Sequence, residues 1–262
     1  MKVDSNLIKK LYFQGESTHT IAKLLNISHS TVMWHTKKLN ISLRTKSEAN
    51  KLAFKIGRLK VNKHLIPESS RFLTKEKAYI LGVLCGDGYV SFYPNIGTYQ
   101  ICLQTVDKEF ADEFDSCLQK VYVIKPYRKK IIVNKANWND KFEVRLCSKE
   151  ACSDILSIGS FKTKIWFVPK IIKESSLQTQ ASFLKGIFDS EGSVETNGKR
   201  INLTSTNLKG LKEIESLLCN FDIKSKINKQ TRASNLRIQD KNSIDNFKQN
   251  IGFTIKRKMS RL

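Results

Sequence analysis

An internal repeat organises the chain from residue 74 onward. The stretch Ala78-Tyr79-Ile80-Leu81-Gly82-Val83-Leu84-Cys85-Gly86-Asp87-Gly88-Tyr89-Val90 has a counterpart in Ser182-Phe183-Leu184-Lys185-Gly186-Ile187-Phe188-Asp189-Ser190-Glu191-Gly192-Ser193-Val194, and equivalent residues lie 104 positions apart. Each copy is apolar, has small residues four apart (Gly82 and Gly86, then Gly186 and Ser190), and ends in one acid followed by glycine (Asp87, then Glu191). A repeat of this length implies two copies of one supersecondary unit. Small residues at four-residue spacing let two helix backbones approach closely. The two segments are therefore expected to be helices that cross at Gly82, Gly86, Gly186 and Ser190.

The elements after each copy follow in the same order. The first is followed by an alternating strand at Thr98–Gln104, a helix at Lys108–Gln119, the basic stretch Tyr127-Arg128-Lys129-Lys130, a strand at Lys141–Cys147 and a helix near 149–157. The second is followed by a strand at Arg200–Thr204, a helix at 207–219, a strand around Lys224–Lys229, a strand at Asn235–Gln239 and a helix at 241–250. The predicted class is α+β, with two pseudo-symmetric αββαββα halves at 74–175 and 176–262. Strand alternation puts Ile, Leu, Val and Phe on one face and polar residues on the other, which makes a sheet with one polar, basic face.

The two acids carry the chemistry. A helix C-terminus favours cations, so an acid there in both copies is costly and implies a compensating ion. If the helices cross as expected, Asp87 and Glu191 meet. A divalent cation would relieve their repulsion and bind phosphate oxygens and water. Histidine is absent after position 64; the four histidines are His19, His29, His35 and His64. Any metal chemistry in the repeat must use oxygen ligands, which suit Mg²⁺, Mn²⁺ or Ca²⁺. Six cysteines without a CxxC pair suggest neither zinc nor a disulfide framework, and free thiols fit a reducing compartment. Net charge is +22, from 46 Lys and Arg against 24 Asp and Glu. That excess points to a polyanion partner, whereas 40% apolar content is enough for a core. No apolar run is long enough to span a bilayer, and the N-terminus has no secretory h-region. The expected location is the cytoplasm, at the nucleoid, or an organellar matrix.

Before the repeat, residues 5–13, 17–25 and 28–39 read as three short helices. Ile21, Leu25, Ile27 and Val32 fall where two crossed helices share a core, Asn26 sits at the turn, and Ser28 is a natural N-cap. The pattern is that of a helix-turn-helix at 1–45 and resembles the resolvase-like variety; its third helix would read the major groove through His29, Ser30, Met33, Trp34 and Lys37. Residues 1–73 carry 14 basic and 4 acidic side chains. Residues 46–73 read as a basic linker with one short helix near 46–56.

Ile80–Gly88 and Leu184–Gly192 resemble two copies of the nine-residue LAGLIDADG motif of homing endonucleases. The sixth position is Cys85 and then Asp189, and the eighth, which the family uses for catalysis, is Asp87 and then Glu191. Asp189 is expected to be structural, because cysteine in its equivalent place would be a poor Mg²⁺ ligand. The resemblance implies a monomer whose fused halves form a saddle on double-stranded DNA. It implies hydrolysis of one phosphodiester on each strand across the minor groove, leaving short 3′ extensions, with Mg²⁺ as cofactor and Mn²⁺ as a substitute. It also implies a lysine near the scissile phosphates late in each half. Ile158-Gly159-Ser160-Phe161-Lys162-Thr163-Lys164 and Ile251-Gly252-Phe253-Thr254-Ile255-Lys256-Arg257-Lys258 resemble that element, with Lys164 and Lys258 preferred and Lys162 and Lys256 as rivals. The chain lacks the Cys or Ser start and His-Asn end of an intein, so a free-standing or intron-encoded enzyme is expected. The alternatives are a non-cleaving DNA-binding regulator and a maturase acting on intron RNA.

Candidate base readers on the polar strand faces are Gln100, Gln104, Arg145, Arg200, Asn202, Arg237 and Gln239, since Arg pairs with guanine and Gln or Asn with adenine in the major groove. Arg128, Lys129, Lys130, Lys226 and Lys229 are expected to hold phosphates.

Overall fold

The computed structural model describes residues 4–59, 65–133, 139–196, 198–229 and 232–262. His64 lies outside the described residues. The chain divides into two compact units, Met1–Lys63 and His64–Leu262.

In the first unit, α1 (Ser5–Phe13), α2 (Thr18–Leu24) and α3 (His29–Lys38) close on a core of Ile8, Tyr12, Ile21, Ala22 and Val32, with Leu25 and Ile27 packed against it. Side-chain caps start each helix: Asp4, Ser17 and Ser28 accept from the backbone N–H groups of Asn6, Thr20 and Thr31. Asn26 makes the turn between α2 and α3 with φ of +49°, a conformation asparagine tolerates. Helix α4 (Lys46–Lys55) opens with a capping box between Thr45 and Glu48. Residues 46–59 are not a free linker. Ile56 and Leu52 lie beside Gly15, and Arg58 forms a forked ion pair with Glu16. The stretch 65–73 belongs to the second unit instead: the Ile66 N–H donates to Glu150 Oε2 at 3.0 Å, and the buried Lys77 ammonium donates to the Ser70 carbonyl at 2.7 Å.

The second unit holds the repeat. Its first half runs α5 (Lys75–Leu84), β1 (Tyr89–Tyr93), β2 (Thr98–Thr105), α6 (Lys108–Tyr122), β3 (Tyr127–Ile131), β4 (Lys141–Cys147) and α7 (Lys149–Ile158). After α8 (Lys170–Lys173), the second half runs α9 (Leu177–Glu191), β5 (Gly192–Val194), β6 (Ile201–Ser205), α10 (Leu208–Cys219), β7 (Lys226–Asn228), β8 (Ser234–Ile238) and α11 (Lys241–Asn250), followed by α12 (Lys256–Met259). Each half therefore has the expected αββαββα order. The sheets are antiparallel with matching orders, β1-β2-β4-β3 and β5-β6-β8-β7.

Alternation sorts the strand faces. Ile101, Leu103, Val144 and Leu146 in the first sheet, and Ile201, Leu203, Leu236 and Ile238 in the second, are fully buried. They join one continuous core that contains both α5 and α9. The same alternation corrects the basic stretch before β4. Arg128 pairs with Val144 and Lys130 with Phe142, so both lie on the core-side face of this edge strand, and Lys129 opposite Glu143 lies on the polar face. Arg128 is committed to α6, at 2.6 Å from Asp112 and 3.4 Å from Asp115, and Lys130 pairs with Asp140 at 2.9 Å. Among the described residues, no helix is long and apolar enough to cross a membrane. Cys85, Cys102, Cys117 and Cys152 are buried as free thiols, and Cys147 and Cys219 are exposed ones.

Candidate active site

The floor of the site is the crossing of α5 and α9. A Cβ on Gly82 would sit 2.1 Å from the Phe183 carbonyl and 3.0 Å from the Ile187 nitrogen. A Cβ on Gly186 would sit 2.3 Å from the Tyr79 carbonyl and 3.0 Å from the Val83 nitrogen. These contacts exchange when 104 is added or subtracted, so the crossing is a pseudo-twofold backbone contact that leaves no room for a side chain. Towards the helix ends, a Cβ on Gly86 would meet the Ser190 Cβ at 2.4 Å and the Glu191 Cγ at 3.1 Å. The residue before Asp87 thus lies against Glu191, and Asp87 is near enough for its charge to act on Glu191.

Asp87 and Glu191 are both exposed. The protein packed around them restricts their hydration, and this desolvation is the main reason both pKa values are raised. The Asp87 charge raises Glu191 further, Asp107 does the same to Asp87, and the Lys258 ammonium pulls both back down.

Lys258 is the compensating cation at the end of α9. It is buried, and its Nζ donates to the carbonyls of Asp189 at 2.6 Å and Phe188 at 3.3 Å. These are among the last carbonyls of the helix, where a cation is favoured. Burial lowers the Lys258 pKa; Asp189, Asp107 and Asp87 oppose that shift, and Arg257 adds to it. Of the four lysines in the late Ile-Gly elements, Lys258 alone is buried, whereas Lys162, Lys164 and Lys256 are exposed. Lys258 is also the one whose charge is felt at both acids.

Asp189 is buried, with Oδ2 accepting from the Tyr79 hydroxyl at 2.8 Å and Oδ1 accepting from the Thr254 N–H at 2.9 Å. It ties α9 to α5 and to the turn that carries Lys258. Desolvation raises its pKa, and the hydrogen bonds from Thr254 and Tyr79 and the Lys258 charge oppose that. Cys85, its repeat counterpart, is a buried thiol with no comparable hydrogen bond among the described residues. The second half therefore has a hydrogen-bonded brace that the first half lacks. Arg257 adds a link between halves, a two-pronged bond to Asp107 with both distances 2.9 Å. Tyr79, Thr254, Asp107 and Arg257 were not singled out from sequence. For the first two a signal existed: an acid inside an apolar helix must find donors.

On the polar faces, Gln104 donates to Glu143 Oε2 at 2.8 Å, and Arg145 also pairs with Glu143. Arg237 Nε donates to Asn202 Oδ1 at 3.3 Å. Gln100 is half-buried, and Lys129, Lys226, Lys229 and Gln239 are exposed; Arg200, just before β6, lies 3.4 Å from Glu195. In the first unit Ser30, Trp34 and Lys37 are exposed, but His29 and Met33 are half-buried. His29 stacks on His19 with ring centroids 3.9 Å apart, and its Nε2 is 3.0 Å from the Thr18 hydroxyl, so its ring is partly occupied with holding α2 to α3.

The LAGLIDADG-like domain profile matches this chain twice, at residues 74–158 and 178–252. An uncharacterised protein of Methanocaldococcus jannaschii is 32% identical over 72% of this chain and 82% of its own length. The glutamine–fructose-6-phosphate aminotransferase of the same organism is 28% identical over 72% of this chain, which spans only 17% of that much longer protein. Among solved structures, the homing endonuclease I-DmoI in complex with DNA and Mn has a TM-score of 0.52 at 18% identity, covering 69% of this chain and 97% of its own. The homing endonuclease I-WcaI bound to its DNA recognition sequence has a TM-score of 0.54 at 13% identity, covering 85% of this chain and 97% of its own. These likenesses establish the fold, and the doubled profile match falls on the two halves that the α5–α9 crossing joins. The chain belongs to the LAGLIDADG-like domain family and carries one copy of the domain in each half.

Proposed function

We propose that this protein is a site-specific endonuclease of double-stranded DNA that uses a divalent cation, Mg²⁺ by preference, between Asp87 and Glu191. The observation that carries the reading is the paired acids at the end of the helix crossing, each followed directly by a sheet whose polar face bears arginine and amide side chains. The residues present fit such an ion. They offer oxygen donors of like charge, with raised pKa values that an ion would relieve. Among the described residues no group of three or more His, Cys, Asp or Glu side chains could hold a metal, so the remaining ligands would come from substrate phosphate and water.

When bound, the cation supplies Lewis-acid stabilisation of charge on the phosphate under attack. Asp87 and Glu191 would hold it, one acid from each half, with each half facing one strand. Lys258 opposes the rise in both acids' pKa values and would add positive charge beside the reacting phosphate. The Asp189 brace fixes the turn that carries Lys258. Polar strand faces in the major groove would bring the acids to the minor groove between them, and cuts there would leave short 3′ extensions. The aminotransferase that shares the segment has an unrelated activity, and the shared part is a small fraction of it. What the two chains have in common is therefore best read as a nuclease module.

The first unit is proposed as an added DNA contact, through the exposed Ser30, Trp34 and Lys37 on α3. Removing residues 1–63 should weaken DNA binding and leave the cleavage rate at saturating enzyme unchanged; equal loss of both would place this unit in the catalytic step.

The test of the main reading is incubation of the protein with a supercoiled plasmid library, with Mg²⁺ or with chelator. Linear product that requires the ion is expected. Tight, sequence-selective binding without any cutting would instead identify a DNA-binding regulator.

A further inference from the structure

The registers of the two sheets align the halves row by row. Two residues past each acid stand Tyr89 and Ser193. From them run the rows Tyr89–Cys102–Arg145–Tyr127 and Ser193–Asn202–Arg237–Lys226. The neighbouring rows are Gln104–Glu143–Lys129 and Thr204–Asn235–Asn228. Arg145 and Arg237 therefore occupy equivalent places. The residue two positions before each arginine is Glu143 in the first half and Asn235 in the second.

That one difference changes what each arginine can offer. A carboxylate only accepts hydrogen bonds and a guanidinium only donates them, so the partners dictate how each amide is turned. Glu143 is 5% exposed and accepts from Gln104 Nε2 and from Arg145 Nη2. Gln104 must face it with its NH₂, and its carbonyl oxygen has no partner among the described residues. Arg145 has one terminal nitrogen occupied, its charge is neutralised, and its Nε is buried without a partner among the described residues. In the second half, Arg237 is held through Nε by Asn202 Oδ1, and Asn235 Nδ2 lies 3.5 Å from the same oxygen. The Asn202 NH₂ has no partner among the described residues. Neither terminal nitrogen of Arg237 has a partner among the described residues. Those two nitrogens match the two acceptors, O6 and N7, that guanine presents in the major groove.

We propose that Glu143 is a positioning residue that makes the two halves read different bases: it withdraws Arg145 from guanine recognition and leaves Gln104 as an acceptor for a base amino group, whereas Arg237 pairs with guanine in the other half-site. An acid on a face that meets a polyanion is unfavourable on its own, and this role accounts for it. The inference rests on the endonuclease reading above.

The test is selection of cleaved sites from a randomised duplex library by the wild-type chain and by Arg237→Ala, Glu143→Asn and Asn235→Glu. Loss of preference in Arg237→Ala identifies the base pair that Arg237 reads. The wild type should prefer guanine there by on the order of tenfold, with no guanine preference at the position related to it through the centre of cleavage. Glu143→Asn should gain guanine at that related position, and Asn235→Glu should lose it at the Arg237 position. Thermal melting of each variant checks folding, and if one exchange does not fold, the other decides alone. Profiles of the exchange variants that superimpose on the wild type, or equal guanine preference in both wild-type half-sites, would overturn the proposal while leaving the endonuclease reading intact. If the wild type enriches no site at all, that reading falls and this inference falls with it.

Discussion

At the end of α5 the chain leaves the helix after Leu84 and carries Asp87 in the turn that follows, whereas α9 stays helical through Glu191 and enters β5 at the next residue. The first helix end closes on itself, with the Gly88 N–H donating to the Val83 carbonyl at 2.9 Å. The second is closed by Lys258 from α12, with Asp189 bracing it from below. The contact between the helices is nevertheless close to symmetric, with Gly82 and Gly186 meeting equivalent backbone atoms. A duplicated fold is free to diverge in some contacts and not in others. Backbone-to-backbone packing tolerates almost no change, because any added atom must displace a carbonyl. Side chains that only set charge and orientation can differ between copies as long as the two acids still meet.

The largest effect should come from removing either acid. Asp87→Asn and Glu191→Gln should each lower double-strand cleavage about 10³-fold or more, the scale of several kcal/mol of lost charge stabilisation, with DNA affinity nearly unchanged. Quantitative cleavage and binding titrations check this. Survival of cutting in one variant only would show that the halves do not share a site. The same pair sets a stability trend. Both acids have folded pKa values above their unfolded ones. Their favourable contribution is therefore complete below the ordinary carboxylate range and is lost as pH rises through the raised values. Asp87→Asn should accordingly raise the melting temperature at neutral pH without added cation.

The symmetric part of the comparison is broken by adding one methyl group. Gly82→Ala and Gly186→Ala should each destabilise the protein by about 1–3 kcal/mol through overpacking, and by similar amounts. Chemical denaturation measures both. A large cost at one position and none at the other would mean that the crossing is not symmetric in solution.

A smaller effect sharpens the asymmetric part. Lys258 lowers the pKa of both acids, so Lys258→Met should move the acidic limb of the cleavage-rate profile to higher pH. Lys164→Met should leave that limb in place and at most weaken DNA binding. Identical profiles for the two variants would remove the distinction drawn between the late lysines.

Much of this was legible in the chain itself, and the exceptions share a cause. The crossing helices showed because small residues recur at helical spacing, and β2, β4, β6 and β8 showed because central strands buried on one face must alternate. Edge strand β3 did not sort its faces, since Tyr127, Arg128, Lys129 and Lys130 are all exposed and carry no apolar alternation. The docking of α4 was hidden because none of its residues is fully buried. Helix electrostatics made a positive charge at the end of α9 expected, and the expectation was of a metal ion. That the Lys258 ammonium caps the Phe188 and Asp189 carbonyls there could not be read, because the contact joins residues about 70 positions apart. Glu143 gave no signal, because an acid among basic residues on a strand looks like ordinary surface until its partners are known.

A titration with Mn²⁺ followed by electron paramagnetic resonance tests, without relying on cleavage, whether Asp87 and Glu191 share one cation. The wild-type chain bound to its selected duplex should take up Mn²⁺ with an affinity that falls at least about tenfold in Asp87→Asn and again in Glu191→Gln. Uptake of Mn²⁺ by both variants at wild-type affinity would contradict the account.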